Sequence, residues 1–368
     1  MKNTMRLLAL AGAGILALSA CGSAPDNKAG GGSGADSKDF KACMVSDSGG
    51  WDDKSFNESG YKGLKAAEKD LGISMQAAES KNVSDFEPNI NNLVSSDCNL
   101  IYTVGFLLGP ATGAAAKANS DVHFAIIDST AQDADGNPIE VDNVKPIEFN
   151  TAEAAFLAGY LAAGMSKTGK VATYGGMNIP TVTIFMDGFA DGVKQYNEKH
   201  GTKVELLGWN KDTQKGSFVG SFEDQTKGKA VSDEFYSAGA DIVMPVAGPV
   251  GAGTLASAKE HKDAMVIWVD SDGYESNSSD KAAQGVILSS VMKQIGESVQ
   301  DVTKDAADGT FDAKPYVGTL ENGGVGLAPY HDFESKVPAE LQKEIETLKQ
   351  DVIDGKVKVE SPAAPKSE

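Results

Sequence analysis

"KACMVSDSGGWDDKSFNESGYKGLKAAEKDLGISMQAAE", Lys41–Glu79, reads as strand, helix, strand, and that alternation decides the fold. "KACMVSD" is a short apolar run of strand length. Gly49-Gly50 and Asp52-Asp53 mark a turn, and Asn57–Leu71 carries a helical pattern. "ISMQAAE" is a second strand. Repeated along a chain, such units predict an α/β fold with a mainly parallel sheet.

The alternation continues. Asp85–Ser96 is helical, with Ile90, Leu93 and Val94 on one face. "NLIYTVG", "VHFAIIDS" and "VKPIEFN" read as strands, and Pro110–Asn119 as a helix. "TAEAAFLAGYLAAGM" (Thr151–Met165) is a helix leading into a second series. There "GKVATYGG", "KVELLGW", "ADIVMPVAG" and "AMVIWVDSDG" are strands, and "GVILSSVMK" is a strand or a crossover. Ile184–His200 is a helix with Phe185, Phe189, Val193 and Tyr196 at helical spacing. Phe222–Ala238, Gly253–His261, Gln294–Asp308 and Pro338 to about Ile353 are further helices. Two lobes are expected: residues 40–148 with about 287–310, and 149–286 with about 311–357. Residues 358–368 read as a disordered tail.

A length of 368 residues suits two lobes, and 41% hydrophobic with 23% charged residues suits a globular protein. A net charge of −19 argues against nucleic acid, whose phosphates need a basic face. Lys2 and Arg6 precede the apolar "LLALAGAGILALSA", a signal-peptide pattern over residues 1–20. It ends in Leu18-Ser19-Ala20-Cys21, which resembles a bacterial lipobox. Cys21 would then carry a diacylglycerol, whose two chains anchor the protein to the outer face of the cell membrane. Residues 21–39 follow as a flexible tether. No later run reaches the ~20 apolar residues of a spanning helix.

Cys43 lies in the first strand and Cys98 just before the third. In a sheet of order 2-1-3 those strands are neighbours, so a disulfide is geometrically reasonable. It would add on the order of 3–4 kcal/mol. Two buried free thiols are the alternative.

Twin lobes of this kind bind ligands beyond the carboxyl ends of their strands. The residues there are Asp47–Asn57, Gly105, Asp128, Gly175-Gly176, Gly248–Gly253 and Asp270–Gly273. Acidic and small residues dominate. "GMSKTGKV" (Gly164–Val171) has phosphate-loop spacing, but Val171 replaces the required hydroxyl residue and the element order is wrong. "GPVGAG" (Gly248–Gly253) reads as a glycine turn near a neutral ligand. The four histidines form no metal pattern, no nucleophile elbow is present, and no cofactor or metal is expected. Carboxylates at strand ends can accept hydrogen bonds from vicinal sugar hydroxyls, and aromatic rings can sandwich a flat base.

"DDKSFNESGYKG", "FAIIDS", "NTAEAAFLAGYLAAGMSKTGKV", "GSFEDQTKGKAVSDEFYSAGADIVMPVAG", "WVDSDG" and "LSSVMK" together closely resemble the basic membrane protein family. These are substrate-binding lipoproteins of ABC importers, of the purine nucleoside receptor type. The similarity runs from about Lys41 to Phe333. It implies a type I periplasmic-binding-protein fold, two lobes with parallel sheets joined by three crossovers and closing on the ligand. It also implies a binding role without catalysis, a purine nucleoside as ligand, and an ABC permease with its ATPase as partners. The protein is expected to act as a monomer.

The resemblance assigns roles by position. Phe56 and Phe222 would stack on the two faces of the base, and Asp128 would read its edge. Asn57, Asp270 and Lys293 would hold the ribose and ring, and the Gly248 backbone would line the pocket. Apart from the resemblance, Asp52 and Asp53 read as turn and cap residues that hold the helix start at the cleft, which adds Asp53 to the ligand-binding set. On residue type alone, Phe56 and Phe222 read as staple or core residues before they read as ligand contacts, and Lys293 can pair with Glu297 along a helix. Two positions depart from the family: Gly273 replaces a usual glutamine, and Trp51 stands where smaller residues are usual. A binder of riboflavin or another flat aromatic would keep the phenylalanines and relax the ribose contacts. A nucleoside-cleaving enzyme is the second alternative.

Overall fold

The computed structural model describes residues 39–365. The signal-peptide, Cys21 and tether assignments lie outside the described residues, except for Asp39 at the tether's end.

The first lobe is built on strands β1 (Lys41–Ser46), β2 (Ser74–Ala78), β3 (Leu100–Val104), β4 (His123–Ile127) and β5 (Val144–Phe149). The second contains β6 (Lys170–Gly175), β7 (Glu205–Leu207), the hairpin β8 (Trp209–Asn210) with β9 (Lys215–Gly216), β10 (Ile242–Val246), β11 (Met265–Asp270) and β12 (Ile287–Lys293). Two short strands follow, β13 (Tyr316–Gly318) and β14 (Val325–Leu327). The large sheets run β13-β5-β4-β3-β1-β2 and β14-β12-β11-β10-β6-β7. All pairings in the two large sheets are parallel except β12 with β14. Every residue of β3, β10 and β11 is buried, as both-face coverage by helices requires of a parallel sheet.

Helices α1 (Phe56–Leu71), α2 (Phe86–Val94) and α3 (Gly109–Ala118) belong to the first lobe. Helices α4 (Thr151–Met165), α5 (Pro180–His200), α6 (Gln225–Ser237) and α7 (Gly251–Glu260) belong to the second. The last two long helices are Ile295–Ala307, packed on α1, and Ala339–Ile353, packed on α4.

The chain passes between sheets three times, at Asn150, at Gln294 and across residues 319–324. These crossings are tied together. Asn150 N donates to Gly318 O at 2.8 Å, and Gln294 N donates to Gly324 O at 2.9 Å. Two sheets, three crossovers and a cleft define the type I periplasmic-binding-protein fold.

The lobe boundaries differ from the sequence reading. Residues 287–293 lie inside the second lobe's sheet, because β12 bonds β11 on one side and β14 on the other. The crossover falls after this strand. Conversely, β13 returns to pair with β5 in the first lobe. The expected disordered tail also differs: residues 358–365 lie on the body. Val359, Ala363 and Ala364 pack against the core, and Ser361 Oγ donates to Asp187 Oδ2 at 2.6 Å.

Cys43 and Cys98 are disulfide-bonded, with Cα atoms 6.0 Å apart. The bond sits at the end of the sheet remote from the cleft, in a buried cluster with Phe86, Ile90 and Leu93.

Candidate functional site

Asp53 organises the start of α1. Its Oδ1 accepts from Ser55 N at 3.0 Å and Glu58 N at 2.9 Å, and its Oδ2 accepts from Asn57 N at 2.8 Å. A helix start leaves such N–H groups without partners, and here one carboxylate satisfies three. Burial pushes the Asp53 carboxyl up to about 6 against these donors. Phe56 and Asn57 are thereby fixed at the first turn, at the edge of the cleft.

One cavity between the lobes is lined by the seven residues assigned from the resemblance and by Asp53. From the first lobe come Asp53, Phe56, Asn57 and Asp128. From the second come Phe222, Gly248, Asp270 and Lys293. Phe222 does not open a helix as the sequence suggested. Asp224 is the N-cap of α6, its Oδ1 accepting from Lys227 N at 3.0 Å, so Phe222 lies in the preceding loop. Gly248 takes φ +51°, a left-handed conformation that glycine adopts without strain.

Lys293 joins the lobes. It is buried, its Nζ bonds Asp128 Oδ2, and it lies 3.3 Å from Asp270 Oδ1. It is committed to these partners and not to Glu297. The ammonium also lies 5.0 Å from the Phe56 ring centroid and 4.9 Å from that of Phe185. Burial pulls the ammonium down, but Asp128 and Asp270 carry it above its ordinary value. Burial raises the Asp128 carboxyl although Lys293 opposes it. Two carboxylates around one cation account for the raised ammonium, whereas the rise at Asp128 comes first from burial, with the Asp270 charge adding a smaller push.

Asp128 and Asp270 both hold positive φ, +59° and +69°, as does Lys54 at +60°. Left-handed backbone at non-glycine residues stores of order 1–3 kcal/mol each and clusters at binding sites. Cross-lobe bonds hold this arrangement. Ser55 Oγ donates to Asp270 Oδ2 at 2.7 Å, and the Lys54 carbonyl accepts from Trp268 Nε1 at 3.0 Å and Ser271 Oγ at 2.9 Å.

Asp47, Phe106 and Phe185 also line the cavity; Asp47 belongs to the strand-end set read from the sequence, without a role of its own, and the two phenylalanines do not. Asp47 directly follows β1, which is the one signal that marks it. Burial pushes its carboxyl up to about 8, although Asn57 Nδ2 donates to its Oδ1 at 3.0 Å. A protonated Asp47 carboxyl can donate a hydrogen bond to a ligand acceptor. The Asn57 amide has a complementary feature: its Oδ1 is buried without a hydrogen-bond partner and can accept from a ligand hydroxyl. Phe185 was hidden by its helical periodicity, which marks core residues equally well.

Neither departure from the family pattern reaches the cavity. Trp51 stacks on Tyr61 with centroids 4.9 Å apart, on the outer surface of the first lobe. At Gly273 a Cβ would come within 2.5 Å of Trp268 Cβ, so the glycine follows from the tryptophan. Asp272 turns away to accept from Tyr274 N at 3.0 Å and to meet His331 Nε2 at 2.8 Å. Among the described residues, no cluster of three or more His, Cys, Asp or Glu side chains is placed to hold a metal ion.

A two-lobed fold that gathers rings and carboxylates from both lobes into one closed cleft belongs to the class of solute-binding proteins. Comparison with known proteins narrows the class. The family model described as "Bmp: ABC transporter substrate-binding protein PnrA-like" matches residues 40–362. An ABC transporter nucleoside-binding protein, BmpA of Lactococcus lactis subsp. cremoris, is 32% identical over 98% of this chain and 99% of its own length. Basic membrane protein D of Borreliella burgdorferi is 30% identical over 94% of this chain and 92% of its own. Among solved structures, an ABC transporter solute-binding protein of Aeropyrum pernix superposes with a TM-score of 0.77. It is 24% identical and covers 88% of this chain and 94% of that one. The chain belongs to the Bmp family of PnrA-like ABC transporter substrate-binding proteins.

Proposed function

We propose that this protein captures a purine nucleoside in the inter-lobe cleft and delivers it to an ABC permease and its ATPase. The carrying observation is that phenylalanines from opposite lobes, Phe56 and Phe222, line one cavity with the Asp128–Lys293–Asp270 network. Two rings can sandwich a purine at about 1–3 kcal/mol per stack. Carboxylates and the unpartnered Asn57 oxygen suit sugar hydroxyls, each charge-assisted bond adding ~1.5–3 kcal/mol. The nucleoside-binding relative supports the same ligand class.

The ligand leaves chemically unchanged, and its binding energy shifts the lobes toward the closed form that the permease reads. The protein works on the extracytoplasmic face, held there by lipid on Cys21. Among the described residues no helix is long and apolar enough to cross a membrane.

Mass spectrometry of the small molecules that co-purify with the protein tests the ligand. A purine nucleoside released on denaturation is expected; a flavin or other aromatic in its place refutes the reading. Chromatography after incubation with inosine should return intact nucleoside, and free hypoxanthine would show an enzyme.

A further inference from the structure

The ligand cavity shares part of its wall with a second one. Phe106, Asp128, Thr181 and Lys293 also line a second chamber of about 580 Å³, whose wall includes residues 362–365. That stretch of chain is anchored at a specific place. Asp187 has no exposed surface, and its Oδ1 accepts from Trp209 Nε1 at 3.0 Å and Gln214 Nε2 at 2.9 Å. Ser361 supplies the bond to its other oxygen, so undocking would leave a buried carboxylate oxygen unpartnered. Beside it, Lys211 Nζ donates to the Glu360 carbonyl at 2.5 Å and to Asp191 Oδ2 at 2.6 Å. Pro362 and Pro365 have their φ fixed in advance, which lowers the entropy lost on docking.

The chamber's chemistry is one-sided. It offers hydroxyls and an amide from Ser129, Thr151 and Gln132, with carboxyls from Asp128 and Glu148. Lys293 is the one cation among its described lining residues, and it is already bonded to Asp128 and beside Asp270. Among the described lining residues, a phosphate entering here meets carboxylates and no free cation. A hydroxyl or an ammonium group meets acceptors.

We propose that this chamber is a second subsite, walled by residues 362–365, that takes an uncharged polar or cationic extension of the bound nucleoside and excludes phosphate. The proposal rests on the nucleoside reading above. Isothermal calorimetry on the full chain tests it with five ligands. They are adenosine, adenosine carrying an aminoalkyl chain at N6 or at the 5′ position, the N-acetylated form of whichever aminoalkyl derivative binds, and adenosine 5′-monophosphate.

At least one aminoalkyl derivative should bind within 10-fold of adenosine, and the monophosphate at least 100-fold more weakly. Deleting residues 361–368 should leave adenosine within 3-fold and weaken that derivative at least 10-fold. Glu148→Gln, which keeps the wall intact, should shrink the preference for the amine over its acetylated form. The proposal is overturned if both derivatives bind at least 100-fold more weakly than adenosine. It is overturned equally if neither the deletion nor Glu148→Gln separates the derivative from adenosine. If adenosine, guanosine and inosine all fail to bind, the nucleoside reading itself falls and the subsite falls with it.

Discussion

Lys293 of the second lobe bonds Asp128 of the first, so one buried ion pair spans the cleft. Asp270, 3.3 Å from the same ammonium, makes the pair a trio. Removing one partner from such a network leaves uncompensated buried charge, at roughly 3–5 kcal/mol. Lys293→Met should therefore lower unfolding stability by about that amount in denaturant melts and weaken ligand binding. The Asp128 carboxyl, raised by burial and relieved of the Lys293 charge that opposes the rise, should also take up a proton, so the loss should shrink as pH falls from 7 to 5. A variant as stable as the parent at pH 7 would show that the trio is not coupled.

Asp53 is a positioning residue. Asp53→Ala removes the acceptor for three N–H groups, and losing a helix cap costs typically about 1 kcal/mol, up to ~2. Because Phe56 and Asn57 begin the same helix, ligand affinity should fall along with stability. Asp53→Asn keeps an acceptor and should lie between. Unchanged affinity in Asp53→Ala would show that the cap does not set the site.

Asp47 predicts a pH dependence. Its folded carboxyl titrates near 8, and an unfolded aspartate titrates near 4. Between those values the native state holds a proton that the unfolded chain has released. Stability therefore falls as pH rises from about 4 to about 8. Thermal melts across pH 5–8 should be flatter for Asp47→Asn, which cannot titrate. An identical slope in the variant would assign the dependence elsewhere.

The disulfide should matter for stability alone. Cys43 and Cys98 are 55 residues apart, and opening such a loop costs about 4 kcal/mol in the chain-entropy account. The Cys43→Ala, Cys98→Ala protein should unfold at lower denaturant with an unchanged Kd, since both positions lie away from the cleft. A weakened Kd would mean that the sheet transmits the change.

Much of this was legible in sequence because strand ends are local features. Asp128 and Asp270 each close an apolar strand, and Phe56-Asn57 opens a helix after an Asp-rich turn. The family resemblance then paired Phe56 with Phe222, which no local pattern does. What stayed hidden depends on long-range packing. Helical spacing in α5 could not separate Phe185 at the cleft from Phe189 in the core. Gln225, not Phe222, opens α6 because Asp224 caps it. Neither the insertion of β12 between β11 and β14 nor the docking of Ser361 on Asp187 leaves a periodic trace. Both are contacts between distant segments.

The central claim is that the cleft binds a purine nucleoside between Phe56 and Phe222, with Asp270 on the sugar. Calorimetry with adenosine, guanosine and inosine tests it most directly, on the parent chain and on Phe56→Ala, Phe222→Ala and Asp270→Ala. The account predicts one site per chain for at least one nucleoside, about 10- to 100-fold weaker for each phenylalanine variant and abolished in Asp270→Ala. No heat from any of the three nucleosides, or full affinity in Phe56→Ala and Phe222→Ala, would contradict it.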